Sequence, residues 1–120
     1  MKEKAIILDE KTLRKIISSD KIIYSDLPIK CSNVKPGDRL WVRERWSPPY
    51  DLRDCLPREL PTDTLIHYWA DGDPDSGDWS VPKSSTYMPK WASRLSLIVV
   101  KTFGDVVIMF GVEKKEEQNE

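Results

Sequence analysis

The sequence predicts an α+β domain, mainly β, with one N-terminal helix and long proline-rich loops. Three observations carry this. Residues 39–46 alternate in polarity, the period of a half-buried strand. Residues 94–112 are two apolar, β-branched runs around Thr102-Phe103-Gly104-Asp105, the pattern of a hairpin. Helical spacing of apolar residues is confined to a short stretch after Asp9. A chain of 120 residues suits one domain, and 39% hydrophobic residues with five tryptophans permit a packed core. The expected domain covers residues 1–112, and residues 113–120 are expected to be a disordered polar tail.

In chain order, residues 5–8 are a short apolar run that reads as a first strand. Asp9 is placed to cap a helix from Glu10, and Leu13, Ile16 and Ile17 share one face of it. The helix should fade at Ser18-Ser19-Asp20, whose short polar side chains compete for the backbone. Residues 21–24 read as extended, and residues 25–38, with Pro28 and Pro36, as a connection. Pro36 and Gly37 make residues 35–38 a tight turn.

After that turn, Leu40, Val42, Glu44 and Trp46 fall on one face of a strand and Arg39, Trp41, Arg43 and Arg45 on the other. The first face reads as core, although Glu44 there must find a partner. The second is a basic stripe with an indole in its middle. It reads either as an ordinary solvated face or as a surface for a phosphate-bearing, stacking ligand. Residues 47–61 contain four prolines and read as a loop covering one end of the domain. Residues 64–70 alternate again, with Thr64, Ile66, Tyr68 and Ala70 opposite Leu65, His67 and Trp69. Asp71, Asp73 and Asp75 sit at calcium-loop spacing. Ser76 and Pro82, however, stand where such a loop needs glycine and glutamate, so a solvated acidic turn is expected. Residues 79–92 interleave aromatics, hydroxyls and two lysines. They read as lining a base-stacking pocket or as plugging the core with Trp79, Met88 and Trp91.

The chemistry available is narrow. His67 is the one histidine, which excludes a two-histidine metal site. Cys31 and Cys55 match no zinc spacing and read as reduced, structural thiols. There is no nucleophile elbow and no phosphate-cradling glycine loop, so no cofactor and no metal is expected. No apolar run is long enough to span a membrane, and no signal peptide is recognised; a soluble, cytoplasmic protein is expected. The net charge of −1 argues against a generic nucleic-acid coat. The first sixty residues hold 13 Lys/Arg against 10 Asp/Glu and the second sixty hold 6 against 10, so any anion-binding surface should draw on the first half.

The segments GDRLWVRERW (residues 37–46), HYWADGD (residues 67–73) and YMPKWASRLSL (residues 87–97) resemble, in order, those of ASCH-type, PUA-like proteins encoded by bacteriophages and prophages. The resemblance covers roughly residues 12–100 and implies a small PUA-like β-barrel, with RNA or modified nucleosides as the ligand class. In such relatives a lysine, threonines and paired arginines precede the central strand. Here Lys21 matches the lysine, Ile22 and Tyr24 replace threonines, and Ser25 and Asp26 replace arginines. The acidic helix that follows the last strand in the relatives has no counterpart.

Three functional readings follow. The first is a phage accessory module binding RNA, another nucleic acid or a modified nucleoside. Arg39, Arg43, Arg45 and Lys90 would meet phosphate, Trp41, Trp79 or Trp91 would stack a base, and Arg94 would add polar contact. The second is an amidohydrolase on N4-acylated cytidine-type nucleosides, with Lys21 and Glu44 as its surviving catalytic pair. The third is a factor that binds a host protein and uses the barrel as scaffold.

Overall fold

A computed structural model describes residues 2–115. The elements in chain order are β1 (Glu3–Ile7), α1 (Glu10–Ser18), β2 (Ile23–Tyr24), β3 (Ile29–Lys30), β4 (Arg39–Arg43), β5 (Trp46–Ser47), β6 (His67–Tyr68), β7 (Leu95–Phe103) and β8 (Val106–Lys114). Short 3-10 turns fill much of the stretch between β5 and β7. The chain divides into two compact units: Met1–Val42 with Arg94–Glu120, and Arg43–Ser93. The second unit arises because the excursion between β4 and β7 carries its own apolar cluster.

The first unit is a sheet in the order β1-β4-β7-β8-β2, with β3 also paired to β8. Among the described residues no pairing joins the two ends of this path, so the barrel implied by the resemblance is not closed. β7 and β8 are both interior strands, as their two-faced apolar character requires. Their hairpin turns on two residues, Gly104 and Asp105, with Phe103 opposite Val106. Gly104 has a φ of 63°, which suits the first position of a type II′ turn. The ladder is irregular once on each strand. Val99 faces Phe110 and Lys101 faces Met109, which skips Val100; Thr102 then faces Val107, which skips Ile108.

Leu40 is opposite Leu97 and Val99 is opposite Phe110, so these four side chains share the buried face of the sheet. Val42, Leu95 and Val107 are buried as well. Each such side chain contributes roughly 1.5–3 kcal/mol when fully removed from water. The alternation read from residues 39–46 holds throughout: Leu40, Val42, Glu44 and Trp46 are buried, and Arg39, Trp41, Arg43 and Arg45 are not. Helix α1 begins where expected and buries Leu13 and Ile16. Asp9 caps it through its backbone carbonyl, which accepts from the Leu13 N–H, and its side chain makes no cap. At the other end Lys114 Nζ donates to the carbonyls of Ile17 and Ser19, satisfying orphaned acceptors at the helix terminus.

The turn before β4 is held by Asp38. Its carboxylate accepts from the backbone N–H groups of Lys35 (2.9 Å) and Lys2 (3.0 Å), so one side chain fixes both the turn and the start of β1. The Lys35 N–H, and then that of Lys2, hold the carboxyl below its ordinary value against the opposing effect of desolvation. β8 extends to Lys114, two residues beyond the expected limit, and the Lys115 N–H donates to the Arg94 carbonyl. The remainder of the expected tail lies outside the described residues.

The second unit is organised around residues 46–50. β5 pairs with β6 on one side, Trp46 opposite Tyr68 and Ser47 opposite His67. On the other side Lys83 N–H donates to Trp46 O, Ser80 N–H to Pro48 O and Tyr50 N–H to Asp78 O. Pro48 and Pro49 lack N–H groups, yet the Pro48 carbonyl is used, so two prolines sit in a pairing segment without losing a bond. The expectation of an irregular loop from residue 47 is therefore corrected at its start: Ser47 belongs to the two-stranded β5–β6 sheet, and Pro49 forms an isolated bridge to Trp79. Trp46, Leu60, Met88 and Ala92 make the apolar cluster of this unit, with Leu52, Cys55, Ile66, Tyr68 and Trp91 packed on it. Trp46 Nε1 donates to Ser84 O, and the Tyr68 hydroxyl donates to Ala92 O, so both polar tips are satisfied.

Candidate functional site

Backbone pairing of residues 49–50 with residues 78–79 sets the geometry of an open cleft of about 490 Å³ within the second unit. Its walls are aromatic: Tyr50, Trp69 and Trp79, with Pro74, Gly77, Asp78 and Ser80 between them. The Tyr50 N–H···O Asp78 bond and the Pro49–Trp79 bridge bring residues 50 and 79 side by side.

Each ring is positioned by a separate device. Trp79 Nε1 donates to Ser76 O at 2.9 Å, which folds the indole back over its own turn. Gly77 lies under it at φ 90°, and a Cβ there would meet the Trp79 Nε1 at 3.2 Å. Trp69 follows β6, and its backbone N–H donates to Arg45 O. Its Nε1 donates to Ser47 Oγ at 2.8 Å, and Ser47 Oγ donates onward to Val81 O at 3.2 Å. Ser47 is fully buried, so this hydroxyl is a fixed relay between the indole and the facing segment. Tyr50 carries the Arg53 guanidinium over its ring at 4.0 Å, and Arg53 Nη1 donates to the Tyr50 carbonyl.

His67 is a spacer behind two of these walls. Its ring meets Trp69 edge-on, with centroids 4.8 Å apart, and lies 5.7 Å from Trp79. Its Nε2 is 2.8 Å from Gly72 O, a contact that requires the proton on Nε2. The alternation of residues 64–70 had already placed His67 and Trp69 on one face.

Asp78 is the one charged residue among those lining the cleft, and the Arg53 guanidinium lies over the Tyr50 ring without itself lining it. The chemistry of the cleft is therefore stacking plus hydrogen-bond acceptance.

The residues singled out in the sequence separate into several places. Trp79 lines the cleft. Trp91 and Met88 belong to the apolar cluster, and Trp79 does not. Lys90 is exposed at the start of a 3-10 turn (Lys90–Ala92), and Arg94 is half-buried. Arg39 pairs with Glu113 at 2.9 Å, and that bond raises the guanidinium above its ordinary value. Trp41 is half-buried on β4; Arg43 is half-buried with its Nε inside; Arg45 is exposed. The basic stripe thus has one end neutralised by its own chain. Lys21 is held by Asp26 at 3.2 Å and lies 5.2 Å from the centroid of the Tyr24 ring. That bond lowers the Asp26 carboxyl. Glu44 is buried. Tyr24, in the position of a family threonine, is a core residue whose ring stacks on Phe110 at 5.4 Å.

Sequence reasoning passed over Tyr50, Trp69 and Asp78. Trp69 was visible as an indole sharing a strand face with the only histidine. Tyr50 carried no local signal, because its link to residue 78 is a backbone bond across a long stretch of chain. Both cysteines are free thiols. Among the described residues no group of three His, Cys, Asp or Glu side chains is placed to hold a metal ion, and no helix is long and apolar enough to cross a membrane. Comparison with family models, with characterised proteins and with solved structures gives no match.

Proposed function

We propose that this chain is a binding module for a nucleobase, presented either as a modified nucleoside or within a single-stranded nucleic acid. The observation that carries the reading is the cleft between Tyr50, Trp69 and Trp79. Two indoles and a phenol around one opening offer π-faces to a flat ring, and stacking of this kind contributes about 1–3 kcal/mol per base. Asp78 supplies an acceptor for an exocyclic amine or ring N–H, the groups by which a base edge is read. The resemblance to ASCH-type, PUA-like proteins favours the same ligand class.

The amidohydrolase alternative has less support. Lys21 is engaged by Asp26 and by the Tyr24 ring, and Tyr24 is committed to the core through Phe110. A nucleophilic or basic amine needs a free lone pair, and a threonine-like hydroxyl needs access to substrate. Binding without turnover fits these positions better.

The test is a titration of the intrinsic tryptophan fluorescence with nucleosides and with short single-stranded RNA and DNA at two salt concentrations. Quenching on binding is expected, and Trp79→Ala should weaken it roughly 5- to 150-fold, the equivalent of one stacked base. A Trp79→Ala protein that binds every one of these ligands as tightly as the parent would remove the cleft from the proposal. Binding that instead fails in Arg43→Ala and Arg45→Ala and falls steeply with salt would move the site to the basic stripe.

A further inference from the structure

We propose that the cleft selects a base carrying positive charge, an N-methylated purinium or pyrimidinium ring, over its neutral parent. The inference rests on the reading of the cleft as a nucleobase site and adds the charge of the ligand. Three observations carry it. The walls are three electron-rich rings, whose faces attract cations as well as flat neutral rings. The only charge contributed to the lining is the carboxylate of Asp78. The segment that supplies part of this wall, residues 71–78, holds three further aspartates.

One ring of the set already behaves this way. Tyr50 holds the Arg53 guanidinium at 4.0 Å. Arg53 is itself faced by Asp54 at 3.9 Å, Lys83 Nζ donates to the Arg53 carbonyl, and neither basic side chain lines the cleft. A neutral base gains stacking alone. A cationic base of the same shape gains the attraction of the ring faces and of Asp78 in addition. A phosphate inside the cleft meets the same carboxylate unfavourably, which places any phosphate of the ligand outside the opening.

The experiment compares guanosine, N7-methylguanosine and choline as ligands of the whole protein, in mildly acidic buffer where the methylated ring is cationic, read by tryptophan fluorescence and calorimetry. N7-methylguanosine is expected to bind at least about tenfold more tightly than guanosine, a difference of about 1.4 kcal/mol. Asp78→Asn should bring the two to within a few-fold of each other, and Asp78→Glu should restore the margin. Melting curves of both variants should match the parent, since the Tyr50 N–H bond is to the Asp78 backbone. Equal affinity for guanosine and its methylated form overturns the charge inference and leaves the nucleobase reading standing. Choline binding as tightly as the methylated nucleoside overturns the nucleobase reading on which the inference rests, because the ring would then contribute nothing. Failure of all three to bind overturns the charge inference, and failure of short single-stranded RNA and DNA as well overturns the nucleobase reading.

Discussion

Replacing Ser47 with alanine tests the architecture of the cleft at its least visible point. The Ser47 hydroxyl is fully buried, accepts from Trp69 Nε1 at 2.8 Å and donates to Val81 O at 3.2 Å. Alanine fills nearly the same space, so packing changes little and the loss is one of hydrogen bonding. The Trp69 Nε1–H is left without its partner, whereas Val81 O keeps the Ser80 hydroxyl as a donor at 2.9 Å. An unpaired group costs about 1–3 kcal/mol when it stays dry, and Trp69 is partly exposed, so water recovers some of that and a total of about 1 kcal/mol is expected. With a urea slope of about 1.5 kcal/mol/M, that moves the midpoint down by roughly 0.7 M. Tryptophan fluorescence is the suitable probe, because Trp46, Trp69, Trp79 and Trp91 all lie in Arg43–Ser93. A double-mutant cycle with Trp69→Phe, which keeps a ring and removes the N–H, should show a coupling of about 1 kcal/mol. A midpoint within about 0.2 M of the parent, or strictly additive losses in the cycle, would refute the relay.

Three further outcomes are expected. Gly77→Ala combines a φ of 90° with a Cβ pressed to 3.2 Å from Trp79 Nε1, so it should cost about 1 kcal/mol in denaturation and weaken ligand binding several-fold; unchanged binding would show that the indole position is immaterial. Asp38 stabilises the fold as a carboxylate whose folded value lies below the ordinary 3.8, so its contribution is complete above that pH and is lost as the pH falls through the folded value. Urea midpoints between about pH 5 and about pH 2 should therefore fall more steeply for the parent than for Asp38→Asn, and parallel slopes would contradict the clamp. Lys114→Met removes the cation that bonds the Ile17 and Ser19 carbonyls and should cost about 0.3–1 kcal/mol with a loss of helical circular dichroism; an unaltered spectrum and midpoint would show those carbonyls to be satisfied by water.

How far the sequence could be read depended on the range of the interaction concerned. Period and local chemistry placed α1, β4 and the β7–β8 hairpin, because 3.6- and 2-residue spacing acts within one element. The buried face Leu40, Val42, Glu44 and Trp46 was legible down to its carboxylate for the same reason. Residues 47–50 pair where a loop is expected, since a proline lacks the N–H yet keeps a carbonyl that is a good acceptor. Residues 64–70 were read as one strand, but only His67–Tyr68 pair, because the chain turns into a 3-10 helix (Trp69–Asp71) at the next residue. Their two-sided pattern survives that turn, with Ile66 and Tyr68 on the apolar cluster and His67 against Trp69. The cleft was half legible. Trp79 stood out as an aromatic in a polar loop, whereas Tyr50 and Asp78 are joined only by a backbone bond that no side-chain pattern announces. The arginine stripe looked uniform in sequence, yet Glu113, from the far end of the chain, neutralises Arg39.

The placement of β4 beside β7 has a kinetic consequence. Trp41 lies opposite Ser96, so this antiparallel pair closes a loop of roughly fifty residues, at an entropic cost about 2 kcal/mol greater than a tight turn of four. The β7–β8 hairpin, which turns on Gly104 and Asp105, has no such barrier and is the natural first structure. β4 then joins it late, unless the intervening segment has already condensed on Trp46, Leu60, Met88 and Ala92 and drawn its own ends together. The excursion that builds the cleft thereby acts during folding as a clasp, setting how quickly β4 and β7 can find each other.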